Sequence, residues 1–151
     1  TGVSAFAPAQ LREQFYAEPG SWYNATALVR GLERIKNLYA DKGYVNFAAI
    51  PTPQVDEASR TIVLNIDADE GKPVNFGSLI LSGQEPRAGA GKSLLTAWSA
   101  DMEGKPYSPT QFKHWLSAHA PWSSDTPEGR LYVTTLLASD LQRLNIRLEF
   151  P

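Results

Sequence analysis

The sequence predicts an α+β fold in which one order of elements occurs twice, and three observations lead to this prediction. The stretch after Asn24 has apolar residues spaced as on one face of a helix. Residues 61–69 and 144–150 alternate apolar and polar side chains, as half-buried strands do. Helix, helix, strand, strand is the order in Pro8–Asp69. The same order, preceded by one more strand, fills Asn75–Phe150, which makes a degenerate repeat of about 75 residues.

Two helices open the first half. Pro8 suits the first turn of a short helix over residues 8–15, and Pro19-Gly20 ends it. Asn24 suits the N-cap of a second helix. The apolar stripe of that helix consists of Leu28, Leu32, Ile35, Leu38 and Tyr39. Gly43 suits the left-handed position that follows a helix end.

A predicted hairpin completes the first half. Its strands are Val45–Val55 and Thr61–Asp69, and Asp56–Arg60 forms the loop between them. Because proline cannot donate to a ladder, Pro51 and Pro53 indicate that the first of these strands lies at a sheet edge or is interrupted there.

The second half contains all five elements of the repeat. We expect a strand within Val74–Gln84, a helix over Lys92–Ala100, a second helix over Pro109–His119 capped by Ser108, a loop over Pro121–Gly129, and strands over Arg130–Ala138 and Leu141–Phe150. A few residues around Pro73 separate the two halves.

The bulk properties of the 151 residues exclude several classes of function. Apolar residues make up 42% and charged residues 20%, which is ordinary for a globular protein. The net charge of −2 gives no reason to expect nucleic acid as a partner. There are no cysteines, so disulfides and thiol chemistry are excluded. The chain opens without Met and contains no long apolar run, and we expect it to be a piece of a longer protein.

Short motifs around the predicted hairpin resemble a known family. Leu38-Tyr39 and Lys42-Gly43-Tyr44 close the second helix, Asp69-Glu70-Gly71 closes the hairpin, and Asn75-Phe76-Gly77 opens a strand that Gly83 ends. This pattern resembles the POTRA domain, the polypeptide-transport-associated module of outer-membrane assembly factors of the surface antigen family. In that family the module stands in the periplasm in front of an outer-membrane β-barrel.

The resemblance implies an architecture and a role. Each domain would be a three-stranded mixed sheet covered by two antiparallel helices (β-α-α-β-β), with domains at 1–73 and 74–151 and the first strand absent from the first domain. The role would be that of a periplasmic polypeptide-binding module, in the periplasmic portion of an outer-membrane protein whose barrel follows Pro151. It would make or break no bond and need no cofactor or metal.

The resemblance also implies partners. They would be unfolded outer-membrane proteins or other extended polypeptides, with periplasmic or lipoprotein accessory subunits as further partners. Two alternatives stay open: a periplasmic scaffold of the cell-division type that binds one fixed protein, and a small-ligand or catalytic α+β domain.

In the POTRA family, the strand after the second helix lies at a sheet edge and can accept an extended chain through main-chain hydrogen bonds. Here the corresponding strands are Val45–Val55, with Val45 and Phe47 as candidate contacts, and the strand over 131–137. The second strand is the better acceptor because it lacks proline and charge. Its candidate contacts are Leu131, Tyr132, Val133, Thr134, Thr135, Leu136 and Leu137.

Other motifs favour structural explanations over chemical sites. The run Gly89–Ser93 lacks the first glycine of a phosphate-binding loop, because Pro86 stands at that position. His114 and His119 are five apart and do not share a helix face. The acidic residues Asp67, Asp69 and Glu70 are expected to be solvated. Among the tryptophans, Trp98 and Trp115 are expected in the core, and Trp22 and Trp122 in loops that could contact a partner.

Overall fold

The computed structural model describes residues 4–123 and 131–150. The chain divides into two compact units. Unit 1 holds the described residues up to Ala40 together with Tyr44–Lys72, and unit 2 holds Asp41–Gly43 together with the described residues from Pro73 onward. The α+β fold predicted from the sequence is confirmed.

The described residues of unit 1 form two helices and one hairpin. Its elements are α1 (Pro8–Glu13), α2 (Ala25–Ala40), β1 (Ala48–Asp56) and β2 (Thr61–Asp69). The predicted cap of α2 is confirmed, because the side-chain oxygen of Asn24 accepts a hydrogen bond of 3.1 Å from the N–H of Ala27. β1 and β2 pair antiparallel without a break from Ala48↔Asp69 to Asp56↔Thr61. Among the described residues of unit 1, these are the two strands of the sheet.

The core of unit 1 lies where α2 covers the hairpin. Ile35 and Tyr39 of α2 are buried with Phe47, as the apolar stripe of the helix predicts. The rings of Tyr39 and Phe47 stack with centroids 4.1 Å apart. Gly31 of α2 leaves room for the ring of Phe15, which a Cβ atom would overlap.

Unit 2 contains all five elements of the predicted repeat, in the order strand, helix, helix, strand, strand. They are β3 (Asn75–Ser82), α3 (Ala90–Asp101), α4 (Pro109–His119), β4 (Tyr132–Leu137) and β5 (Arg143–Glu149), and a single 3-10 turn (Pro121–Ser123) follows α4. The sheet order is β3-β5-β4, with β3 parallel and β4 antiparallel to β5. This mixed three-stranded sheet is the one that the resemblance implies. Arg130 and most of the predicted loop at 121–129 lie outside the described residues.

Aromatic side chains from the helices and from β3 build the core of unit 2. Trp98 and Trp115 are buried, as predicted, and their rings pack edge to face 5.1 Å apart. Trp98 also packs on Phe76, and its indole N–H donates a 2.9 Å hydrogen bond to the carbonyl of Gly77. This contact fixes α3 over the start of the sheet. Ile146 and Leu148 of the central strand complete the core.

Candidate protein-binding edge

The seven residues predicted to accept a client chain lie together at one edge of the unit 2 sheet. Leu131 precedes β4, and the other six form it. Because β5 lies between β3 and β4, β4 pairs on one side only among the described strands. Its other side carries main-chain N–H and C=O groups that can pair with a further strand.

The register identifies which residues of β4 face that free edge. The N–H of Ala138 donates to the carbonyl of Arg143 at 2.8 Å, so these two residues form a hydrogen-bonded pair at the end of the hairpin. Hydrogen-bonded and non-hydrogen-bonded pairs alternate along an antiparallel ladder. Tyr132, Thr134 and Leu136 therefore bond to β5. Val133, Thr135 and Leu137 direct their N–H and C=O groups to the free edge.

The side chains of β4 offer apolar surface on both faces of the sheet. Val133 and Leu137 lie opposite the buried Leu148 and Leu144 on the face that the helices cover, yet they are 42% and 40% exposed. On the other face, called here the outer face, Tyr132 is 61% exposed. A strand added at this edge would bury part of each of these side chains.

The candidate contacts in unit 1 lie outside the strand. β1 begins at Ala48, so the predicted strand of Val45–Val55 is three residues too long at its start. Val45 lies in a turn, and Phe47 is buried against Tyr39. The ring of Phe47 is therefore part of the core, and neither residue contributes to the free edge of β1.

The prolines of β1 do not interrupt its pairing with β2. Pro51 lies opposite Ile66 and Pro53 opposite Leu64, within an unbroken register. The two prolines are two residues apart, so both ring nitrogens face the same edge. Proline in sheets is found at edges, with the position of its missing N–H away from the partner strand. The free edge of β1 therefore lacks two donors, whereas β4 has no proline.

The charges near β4 lie on the outer face of β5. Arg147 is opposite Thr134, and Glu149 is opposite Tyr132. At the hairpin turn, Arg143 donates from Nε to Asp140 at 2.8 Å. Hydrogen bonds from the N–H of Gln142 and from the Arg143 side chain lower the pKa of Asp140. Among the described residues Arg147 has no ion pair.

Glu70 has a structural role that the sequence pattern does not reveal. It was expected to be solvated like Asp67 and Asp69, which are exposed, but its side chain is buried. Its carboxylate accepts hydrogen bonds from Ser4 N–H (2.6 Å), Ser4 Oγ (2.8 Å), Ala5 N–H (2.9 Å) and the Tyr39 hydroxyl (2.8 Å). Burial acts to raise the pKa of Glu70, but these hydrogen bonds outweigh it and lower the pKa to about 2. The pKa of Tyr39 is raised, mainly because the hydroxyl is buried and also because it donates to Glu70.

The two histidines of α4 have different neighbours. Both histidines are exposed, and His119 lies 3.4 Å from Asp101 and stacks on Trp115. Among the described residues, no three side chains of the metal-binding types come together. The run at Gly89–Ser93 forms the start of α3, with Gly89 in the left-handed conformation.

The two loop tryptophans differ in exposure. Trp22 is 99% exposed, as expected for a contact residue, and it lines a cleft of about 1080 Å³ in unit 1 together with Tyr16, Tyr23 and Ile62. Trp122 is half-buried, because its ring stacks on Phe150 with centroids 6.0 Å apart. Contact with a partner stays a prediction for both.

Comparison with known proteins agrees with this architecture. Residues 1–71 match the family model of the POTRA domain, described as a surface antigen variable number repeat. A crystal structure of POTRA domains 3–5 of BamA from Haemophilus influenzae is similar over 99% of this chain and 62% of its own, with 17% identity and a TM-score of 0.68. BamA from Haemophilus ducreyi lacking POTRA domains 1–3 gives 17% identity and a TM-score of 0.71, over 99% of this chain and 27% of its own.

A cyanobacterial structure has a similar fold. POTRA domains 1–2 of the periplasmic domain of Omp85 from Anabaena match 99% of this chain and 89% of their own, with 10% identity and a TM-score of 0.52. At these identities the likeness concerns the fold. This chain spans less than two thirds of the length of either BamA structure.

These findings define the class of the protein, an α+β chain with the fold of POTRA domains. The predicted resemblance to POTRA domains is confirmed, because the family model matches residues 1–71 and the solved POTRA structures share the fold. Within the described part of the chain, every helix is too short or too polar to cross a bilayer.

Proposed function

We propose that this chain is a periplasmic polypeptide-binding module of an outer-membrane β-barrel assembly or translocation protein, and that it captures extended client chains by strand addition at β4. The family match and the fold support the general role. The observation that carries the site is the free edge of β4, where Val133, Thr135 and Leu137 present main-chain groups beside exposed apolar side chains.

The proposed clients are unfolded outer-membrane proteins or other extended polypeptides, and accessory subunits could dock at the same edge. Main-chain hydrogen bonds are the same for every sequence, so strand addition tolerates many clients. The exposed Val133 and Leu137 would favour apolar side chains on the helix-covered face. No chemical step on the client is part of this proposal.

β4 is the better acceptor of the two hairpin edges. The corresponding strand of unit 1, β1, lacks donors at Pro51 and Pro53, and its free edge can offer fewer hydrogen bonds to a client. We propose that residues 74–151 form a second domain of the POTRA type, in which this edge serves binding.

Thr135→Pro tests the site directly. It removes one donor from the free edge and none from the ladder with β5, because Thr135 belongs to a non-hydrogen-bonded pair. A suitable probe is a fluorescent, end-blocked peptide of alternating serine and valine with a central glutamine (Ser-Val-Ser-Val-Gln-Val-Ser-Val-Ser). We expect its affinity, measured by fluorescence polarisation, to fall about tenfold, from the lost hydrogen bond and the clash of the proline ring.

Val55→Pro is the matched control, since it makes the same change at the edge of β1, where Pro51 and Pro53 already stand. It should leave the affinity unchanged. A second measurement needs no variant. Bound peptide should slow amide exchange at Val133, Thr135 and Leu137, but not at Thr134, whose N–H faces β5. Undiminished binding by a folded Thr135→Pro protein, or exchange unchanged at all three residues, would show that β4 is not the acceptor.

A further inference from the structure

The outer face of the unit 2 sheet carries one arginine whose charge is not used within the described structure. Arg147 lies at the middle of β5, is exposed, and has no ion pair among the described residues. Arg143, on the same strand and face, is bound to Asp140. Among the described residues of this face, Arg147 is therefore the cation that can take a partner from outside.

The register places Arg147 directly behind the centre of the free edge. It lies opposite Thr134 of β4, and Thr134 stands between Tyr132 and Leu136 on the outer face. A strand added to β4 would lie about 10 Å from β5, twice the spacing of neighbouring strands. Thr134 has a short side chain, so a long guanidinium behind it can reach toward a carboxylate on the added strand.

The charge next to Arg147 would help to fix the register. Glu149 lies two residues further along β5, opposite Tyr132. An acidic client residue would be repelled opposite Tyr132 and attracted opposite Thr134, since like charges disfavour and opposite charges favour neighbouring positions on a sheet face. Displacing the client by two residues would therefore lower its affinity.

We propose that the β4 edge prefers extended segments with an acidic residue on the outer face opposite Thr134 and apolar residues on the face that the helices cover. This inference rests on the proposed function and adds the chemistry of the client. Arg147 is its specificity-determining residue.

Three end-blocked peptides test the preference. They share the alternating serine and valine sequence and differ at the centre, which is glutamate, glutamine or lysine. Because the sequence reads the same in both directions, the central residue meets Thr134 in parallel and antiparallel addition alike. We expect the glutamate peptide to bind about two- to fivefold more tightly than the glutamine peptide, with the lysine peptide weakest. The difference should shrink as salt is added.

Two substitutions separate Arg147 from a general charge effect. Arg147→Glu should reverse the order so that the lysine peptide binds best. Arg143→Gln, on the same face but at the hairpin turn, should leave the order unchanged. If all three peptides bind equally to the natural chain and Thr135→Pro still weakens them, the acidic preference is wrong and strand addition stands. If none of the three binds, the proposed function itself fails.

Discussion

Glu70 joins the start and the end of unit 1 through one carboxylate. Its oxygens accept bonds from Ser4 and Ala5, which precede α1, and from Tyr39 of α2, while Glu70 itself follows β2. Three of the four bonds go to the same oxygen, Oε1, and the fourth is from the Ser4 hydroxyl to Oε2. A neutral amide could keep this geometry, because a serine hydroxyl can also accept.

Substitutions of Glu70 should therefore have graded effects on unit 1. Glu70→Gln keeps the three bonds to Oε1 and loses the charge, so we expect a loss of about 2 kcal/mol in the free energy of unfolding. Glu70→Ala leaves the buried Tyr39 hydroxyl without its partner and should cost about 3 kcal/mol. Hydrogen exchange of the α2 and β2 amides measures both. Asp67→Asn, a charge removal at an exposed position of β2, is the control and should have little effect.

The pH dependence of the same measurement isolates the charge. The pKa of Glu70 is about 2 in the folded chain and near its ordinary value of 4.5 when unfolded. The charged carboxylate therefore stabilises unit 1 to its full extent above about pH 5. This stabilisation is lost as the pH falls through the folded pKa. The stability difference between the natural chain and Glu70→Gln should shrink from pH 5 to pH 2. A difference that stays constant over this range would contradict a charge-dependent role.

At the scale of elements, the end of β3 requires a glycine because it passes close to the end of β5. Gly83 has φ of +86°, and a Cβ atom there would overlap the carbonyl oxygen of Phe150. The close approach accompanies the 2.8 Å hydrogen bond from Phe150 N–H to the carbonyl of Ser82. Gly104, in the connection between α3 and α4, has a similar φ of +80° but no atom within 4 Å of a built Cβ.

Alanine at these two glycines separates backbone strain from steric overlap. Gly104→Ala should lower the free energy of unfolding by about 1–2 kcal/mol, because a residue with a side chain is strained in the left-handed conformation. Gly83→Ala adds the overlap with Phe150 to the same backbone strain, so it should lower the free energy of unfolding by about 3 kcal/mol or more. Urea unfolding followed by tryptophan fluorescence reports on unit 2, because Trp98 and Trp115 lie in its core. Equal losses for the two variants would show that the approach to Phe150 can relax.

The bounds of an element were predicted best where they depend on residues next to each other in the sequence, such as a helix cap. The helix at Pro109–His119 has the predicted bounds, because Ser108 caps it and accepts from the N–H of Gln111 at 3.2 Å. The start of β1 was missed because Phe47 is held by stacking on Tyr39, a contact with a helix that the strand pattern does not reveal. Periodicity predicts which residues alternate, but not where tertiary packing ends the alternation.

The candidate edge was predictable in composition but not in orientation. The absence of proline and charge in β4 can be read directly from the chain. Which of its residues face outward depends on the pairing of Ala138 with Arg143, and this register is a property of the fold. Glu70 was missed for a related reason, since two of its partners, Ser4 and Ala5, lie more than 60 residues away in the sequence.

At the scale of the whole molecule, the division into units does not follow the sequence strictly. The boundary predicted between residues 73 and 74 stays a prediction. Asp41–Gly43, although it precedes that boundary, belongs to unit 2. There the carbonyl of Gly43 accepts from the N–H of Val74 at 2.9 Å. A segment excised at residue 74 would therefore lack part of unit 2.

Asp41 is joined to unit 2 by hydrogen bonds to the start of α4. Its carboxylate accepts from Ser108 Oγ (3.0 Å), Thr110 N–H (3.1 Å) and Thr110 Oγ1 (2.9 Å), so a negative charge lies at the N-terminus of the helix, where the helix dipole favours it. Asp41→Ala should lower the free energy of unfolding of unit 2 by about 2 kcal/mol, and Asp41→Asn by about half as much.

Urea unfolding followed by the fluorescence of Trp98 and Trp115 measures this loss, and Asp67→Ala in unit 1 is the control that should leave it unchanged. If Asp41→Ala shifts the unit 2 transition by no more than Asp67→Ala does, the three hydrogen bonds do not stabilise the unit. The side chain of Asp41 would then be dispensable to it. A clear loss would mean that unit 2, which carries the β4 edge, needs Asp41 for its full stability. A shortened chain would then have to keep Asp41, which precedes the hairpin of unit 1, as well as the residues from Pro73 onward.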